Sequence, residues 1–165
     1  MDLDDTDRRL LALLQSDART PLDRLADAAG TSSATVQRRM KRLREAGVVA
    51  GESAVLDPRA LGYPMTFLVT VELERERAHD LDAFRRALVA EPQVQQAYYV
   101  TGETDFALIC LARDMDDFEA LTRRLFIDRP NVRRFRTSVV MNRTKVGLDV
   151  PVEVDGGSWA AEEGR

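Results

Sequence analysis

The sequence has little of what most catalytic or exported proteins depend on: one cysteine, one histidine and one tryptophan in 165 residues. A single cysteine excludes an intrachain disulfide and a cysteine-built zinc site, and Cys110, set in an apolar stretch, reads as core. Long hydrophobic runs are absent too. The longest, Phe106 to Ala112, has seven residues, against the roughly 20 needed to span a bilayer, so no membrane partner is expected. The opening residues Met1-Asp2-Leu3-Asp4-Asp5 are acidic where an export signal is basic and then apolar, which gives an expected location in the cytoplasm. His79 lies in a polar stretch without a partner for acid–base work. There is no metal-ligand cluster, phosphate-binding glycine loop or nucleophile elbow, so neither an enzyme nor a cofactor or metal is expected.

Charge of one sign is also scarce where it would be most telling. The net charge of −4 argues against nucleic acid, yet its distribution reverses the argument. Residues 1–61 carry ten basic and ten acidic side chains, so the whole deficit lies beyond them. Between Ser32 and Ala46, Arg38, Arg39, Lys41, Arg42 and Arg44 face Glu45 alone. Only charge within a Debye length of about 8 Å acts on a bound phosphate, so a basic helix face on an acidic protein can bind DNA. Such a face can equally be a solvated helix surface.

The first fifty residues read as three short helices. Asp4 is placed to cap the first, with Asp7 three positions on as a capping-box partner and Leu10, Leu11, Leu13 and Leu14 as its buried stripe. For the second, Thr20 is the expected cap, Pro21 the first helical residue, Leu22, Leu25, Ala26 and Ala29 the apolar face, and Gly30 the stop. The third starts at the cap Ser32, repeats Val36, Met40 and Leu43, and closes at Gly47 before the strand-like Val48-Val49. Two helices separated only by Gly30-Thr31 must cross steeply, which is the helix-turn-helix arrangement. At about 100° per residue, Ala34, Thr35, Arg38, Lys41 and Arg42 point away from the core stripe. Early turns of a reading helix reach base edges and later turns lie near phosphates. Ser32 stands at the start of this face. Ser33, Ala34, Thr35, Gln37 and Arg38 are therefore assigned to the major groove of double-stranded DNA, and Arg39, Lys41 and Arg42 to the backbone.

Residues 51–62 read as a strand and linker around Asp57-Pro58-Arg59-Ala60-Leu61-Gly62. Beyond it, alternation from Met65 to Leu73 predicts a strand, Asp80 to Glu91 a helix, Gln95 to Val100 and Phe106 to Ala112 two strands about the Thr101–Asp105 turn, a helix capped by Asp114, and a strand over Val132 to Met141. The order βαββαβ is the ferredoxin-like split βαβ. The expected class is thus α+β: a winged-helix-like helix-turn-helix domain over 1–50, then a ferredoxin-like domain over 63–148. Residues 149–165, with Trp159, read as a disordered tail. Phe106 to Ala112 is apolar on both faces, so a second copy of the chain is expected to cover the sheet face that the helices leave open, giving a homodimer.

These residues resemble a known family, the leucine-responsive regulatory protein and asparagine-regulator (Lrp/AsnC) transcription factors. The resemblance runs from Leu3 to about Lys145. It is carried by Leu3-Asp4-Asp5-Thr6-Asp7 with Leu10-Leu11, Gly30-Thr31-Ser32, Val36 to Leu43, Gly47-Val48-Val49, Asp57 to Gly62, Val100 to Asp105 and Arg136 to Met141. Thr31 departs from the leucine often found just before the third helix. The resemblance implies a bacterial or archaeal regulator whose second domain senses amino acids or related metabolites, dimerises and often assembles into octamers of four dimers. It also implies an effector loop at Gly102-x-x-Asp105. There Asp105 can meet an ammonium group and the turn backbone a carboxylate, with Thr101, Glu103 and Thr104 in the loop and Tyr99 and Thr137 as pocket walls. By itself Gly102-x-x-Asp105 is only a hairpin-turn signature. The rival reading is an architectural DNA-binding protein without an effector, set apart by a steep salt slope and little sequence preference.

Overall fold

A computed structural model of the chain describes residues 2–75 and 77–153. The expected tail from 154 on, Trp159 included, lies outside the described residues. The chain divides into two compact units. One holds the described residues up to 54 together with 146–153, and the other residues 55–145.

In the first unit, α1 (Asp5–Ser16), α2 (Leu22–Ala29) and α3 (Ser33–Glu45) enclose a core of Leu10, Leu25, Ala26, Ala29, Val36, Met40 and Leu43. Asp4 caps α1 as expected, its carboxylate accepting from the Asp7 N–H at 2.8 Å, but Asp7 does not complete a capping box. It is 1 % exposed and faces α3. The α2 start also differs. Pro21 is the cap with extended backbone and no side-chain cap bond, because the Thr20 hydroxyl instead donates to the Asp17 carbonyl at 2.7 Å. Gly30 ends α2 in the left-handed conformation, φ 62°, which glycine adopts without a Cβ penalty. Ser32 caps α3, accepting from the Thr35 N–H. Val48-Val49 is not a strand. The Val48 and Val49 N–H groups fold back onto the Leu43 carbonyl as the end of α3, and residues 51–62 are coil and turn, so no wing strand exists among the described residues.

The second unit has the sheet order β2-β3-β1-β4, all antiparallel. Its strands are β1 (Met65–Leu73), β2 (Val94–Tyr99), β3 (Phe106–Ala112) and β4 (Val132–Val139). Helices α4 (Ala78–Ala90) and α5 (Met115–Thr122), the latter continued by a π-helical turn Arg123–Ile127, cover one face. This is the expected ferredoxin-like arrangement. Phe67 stacks on Phe118 with ring centroids 3.6 Å apart, and Phe84 meets Phe106 edge-on at 5.1 Å, so each helix is locked by an aromatic pair. Cys110 is buried in this layer, where burial pushes its thiol up to about 12, an inert core residue. The opposite face pairs Thr66 with Leu111, Leu68 with Ile109 and Thr70 with Ala107. Leu68 there is 42 % exposed, and none of the described helices packs over it.

The chain from 146 returns to the helical unit. Gln15 near the end of α1 donates to the Val150 carbonyl at 2.9 Å and accepts from its N–H at 3.1 Å, so Val150, at the start of the stretch expected as a tail, is bonded to α1.

Candidate nucleic-acid interface and ligand-binding loop

The outward face of α3 sorts into side chains that hold the helix and side chains that remain presented. Arg39, expected on phosphate, turns inward. Its guanidinium reaches Asp4 at 2.6 Å and Asp7 at 2.9 Å and is only 23 % exposed. Arg42, also expected on phosphate, bonds the other Asp7 oxygen while its side chain stays about half exposed. The Asp7 N–H and the Arg39 guanidinium hold the Asp4 carboxyl below the usual carboxylate range, and Asp4 and Asp7 in turn raise Arg39. These contacts fix the rotation of α3 against α1. Sequence reading missed them because Asp7 was taken for a capping residue. Its place one turn before Leu10 and Leu11, on the buried stripe, was the available signal.

Ala34, Gln37, Arg38 and Lys41 are presented and exposed, with Thr35 half-buried beside the cap. Ser33 donates to Asp23 on α2 at 2.7 Å, joining the two helices, and Ser32 is engaged as the cap. Lys41 lies 3.7 Å from Glu45 and Arg44 pairs with Glu52, whereas Arg38 has no ion-pair partner among the described residues. The free face is therefore small at its N-terminal end and carries one uncommitted guanidinium a turn later, a shape and chemistry suited to base edges.

In the second unit, the Thr101–Asp105 turn joins β2 to β3. The Val100 N–H donates to the Asp105 carbonyl and the Asp105 N–H to the Val71 carbonyl, both at 2.9 Å. One Asp105 carboxylate oxygen accepts from the Leu73 N–H at 2.6 Å, so this side chain stitches the hairpin to the end of β1. Gly102 has φ 126°, a conformation that favours glycine, and a Cβ there would meet nothing within 4 Å. Thr101, Gly102 and Glu103 are exposed, and Thr104 and Asp105 half-buried. Tyr99 pairs with Phe106 at the base of the turn, with Arg85 stacked 4.9 Å above its ring. Thr137 is elsewhere. It lies on β4, paired with Val69 of β1, two strands from β3 and so about 10 Å away across the sheet, and one copy of the chain does not bring it to the turn.

Two helices joined only by Gly30, Thr31 and the cap Ser32, the second presenting a small-to-cationic face, and a separate unit built on an open antiparallel sheet define a helix-turn-helix DNA-binding regulator with a ferredoxin-like domain. Comparison with known proteins agrees. The AsnC-type helix-turn-helix domain family matches residues 3–44, and the Lrp/AsnC ligand binding domain family matches residues 66–149. The chain is 42% identical over 93% of its length to an HTH-type transcriptional regulator of Sinorhizobium fredii, covering 91% of that protein. It is 32% identical over 92% of its length to the leucine-responsive regulatory protein of Rhizobium meliloti, covering 97% of it. The solved structure of a Neisseria meningitidis transcriptional regulator in complex with L-methionine superposes with a TM-score of 0.85 at 26% identity, over 91% of this chain and 97% of that one. The chain belongs to the Lrp/AsnC family of DNA-binding transcriptional regulators.

Proposed function

We propose that the protein is a sequence-specific DNA-binding regulator in which Ala34, Thr35, Gln37 and Arg38 read base edges, Lys41 and Arg42 lie along phosphates, and an amino acid or close relative bound at the Gly102–Asp105 turn modulates DNA binding or assembly. The observation that carries the reading is the division of labour on α3: Arg39 is committed inward, and Arg38, one position earlier, is presented outward. Arg38 suits bidentate pairing with guanine and Gln37 with adenine, each good pair worth about 1–3 kcal/mol of discrimination. The uncapped first turn of α2 offers backbone N–H groups to a phosphate.

The open sheet face is the proposed dimer interface, with Leu68, Ile109 and Leu111 at its centre, and four such dimers form the octamer common in the family. Effector chemistry is supported by the L-methionine complex of the structural relative and by the ligand-binding family match. Tyr99 and residues 101–105 form one side of the proposed pocket, and Thr137 enters it only if a second copy brings its β4 near. The protein acts in the cytoplasm and is not an enzyme; no described helix is long and apolar enough to cross a membrane, and the relatives are transcriptional regulators.

Fluorescence anisotropy on the DNA upstream of its own reading frame against scrambled DNA, with and without a mixed amino-acid pool, tests this. A preference of about 10³-fold that shifts with the pool is expected. Equal, unresponsive binding would instead identify an architectural DNA-binding protein.

A further inference from the structure

The second unit carries a run of positive charge that neither the effector turn nor the centre of the open sheet face uses. From 129 to 145 the chain holds Arg129, Arg133, Arg134, Arg136, Arg143 and Lys145 and no acidic residue, whereas 28 acidic residues in 165 would place about three in a stretch of that length. The run is built on β4, an edge strand that pairs with β1 alone. Glu72 pairs with Arg134 and the next residue, Leu73, with Val132, so Arg133 is the extra residue of a bulge and has no partner position on β1. A bulge re-aims the side chain it carries, and Arg133 is exposed. Arg134 and Arg136 share one carboxylate, Glu72, at 2.7 and 3.2 Å. Arg134, then Arg136 and Arg133, hold that carboxyl below its usual range, so the three guanidinium groups act on one spot. One carboxylate does not neutralise three cations. Beyond the strand, Arg143 is half-buried and Lys145 exposed, and Arg129, Arg133, Arg143 and Lys145 have no carboxylate partner among the described residues.

Charges on an edge strand also keep it from pairing with a second strand. That role needs a charge or two on the strand itself and does not account for Arg143 and Lys145 past its end. A line of like charge with a single counter-carboxylate fits a polyanion, and in a DNA-binding regulator that polyanion is the duplex backbone. We propose that the β4 stripe is a second DNA-backbone contact, in which Arg133, Arg143 and Lys145 meet phosphates and Arg134 and Arg136 add to the attraction, so that the ferredoxin-like unit holds DNA as well as the helix-turn-helix unit. From Arg133 to Val139 the strand runs about 20 Å at about 3.3 Å per residue, long enough to pass several phosphates of a duplex that carries one charge per roughly 1.7 Å of axis. Such contacts carry no sequence information and raise affinity for all DNA by releasing counterions. The inference rests on the chain binding DNA, and on neither the base-reading role of Arg38 nor the dimer.

Salt dependence makes the test direct. Arg133 and Lys145 are exposed and unpaired, so the double substitution Arg133→Gln/Lys145→Gln in the full chain breaks no described contact. Anisotropy titrations on upstream and on scrambled duplex, repeated over a series of salt concentrations, are expected to show the slope of log affinity against log salt falling by about 1 per substitution for each protomer on the DNA. Affinity near physiological salt falls about 3- to 10-fold on both DNAs alike. Arg133→Lys/Lys145→Arg keeps both charges and keeps the parent slope. An unchanged slope in the Gln pair overturns the second contact. So does a loss confined to upstream DNA, which backbone phosphates cannot produce, and so does a loss accompanied by a changed sedimentation coefficient, which would assign the two side chains to contacts between copies. Repeating the comparison in an Arg38→Ala background keeps this surface apart from α3. An equal drop in slope there upholds the β4 stripe whether or not Arg38 reads bases, and no drop there overturns it.

Discussion

At the scale of single residues, the carboxylates of α1 decide what the cations of α3 can do. Asp7, 1 % exposed, holds Arg39 and Arg42 together. Removing it leaves the Arg39 guanidinium to Asp4 alone and the Arg42 guanidinium without a carboxylate. Breaking a buried ion pair costs about 3–5 kcal/mol, and the half-exposed Arg42 places Asp7→Ala near the low end. Urea unfolding is expected to show that loss, with Asp7→Asn losing less because it keeps an acceptor. Arg38 and Lys41 behave differently because neither supports the fold. Arg38→Ala costs about 1–3 kcal/mol on the operator and relaxes one base position, and Lys41→Ala weakens all DNA about equally. Anisotropy on matched and scrambled DNA separates them, and equal losses on both DNAs for Arg38→Ala would remove it as a base reader. Asp105 has two roles that a pair of substitutions divides. Asp105→Asn keeps an acceptor for the Leu73 N–H and removes the charge proposed for an ammonium group, so the amino-acid response disappears with little change in stability. Asp105→Ala also strands a backbone donor at the end of β1, adding about 1–3 kcal/mol of destabilisation. Calorimetric titration with amino acids, run beside urea unfolding, checks both halves.

At the scale of elements, carboxylates again make the joints. Asp117 on α5 accepts from the Arg113 guanidinium at 2.8 Å, from the Arg113 N–H at 2.9 Å and from the Gln93 amide at 2.9 Å. It thus ties the start of β2 and the end of β3 to the helix. The Arg113 guanidinium, then the Arg113 N–H, holds the Asp117 carboxyl down at about 2 from a usual 3.8. A carboxyl depressed in the folded state contributes stability that is complete above the unfolded value and is lost as pH falls through the folded one. The Asp117 contribution is therefore expected to vanish between about pH 4 and pH 2. Asp117→Asn should flatten the acid limb of a thermal-unfolding profile in that window, and an unchanged limb would exclude Asp117 as a source of it. Most elements were legible because their signals are local. Alternation from Met65 to Leu73 marked β1, and Asp114 and Ser32 marked their helices by capping chemistry. The failures have tertiary causes. Val48-Val49 has strand propensity, yet the Leu43 carbonyl captures its N–H groups. Thr20 has cap chemistry, yet the Asp17 carbonyl takes its hydroxyl. The inward turn of Arg39 depends on a carboxylate 32 residues earlier in the chain, which no window over α3 contains. Thr137 fell away from the effector turn because strand order, not sequence order, sets which strands are neighbours.

At the scale of the whole molecule, the open face of the sheet links the two units' tasks. Leu68 and Ile109 pair directly across β1 and β3, so a charge at either position lands in the centre of an apolar face whose other side is already filled by α4 and α5. Ile109→Glu leaves the helix-covered core intact, because its side chain is on the opposite side from Leu108 and Cys110. It is expected to yield a folded monomer by sedimentation velocity. A single small helix-turn-helix reads only a few base pairs, and a dimer gains by converting the second half-site contact into an intramolecular event, worth about 10²- to 10⁴-fold without any new contact. The monomeric variant should therefore lose about that factor on a full two-fold operator while binding an isolated half-site as well as the parent does. If affinity for both DNAs falls together, Ile109 supports the fold rather than the dimer. If the variant remains dimeric, the copies meet through some other surface, and the apolar face of β1 and β3 has a different occupant.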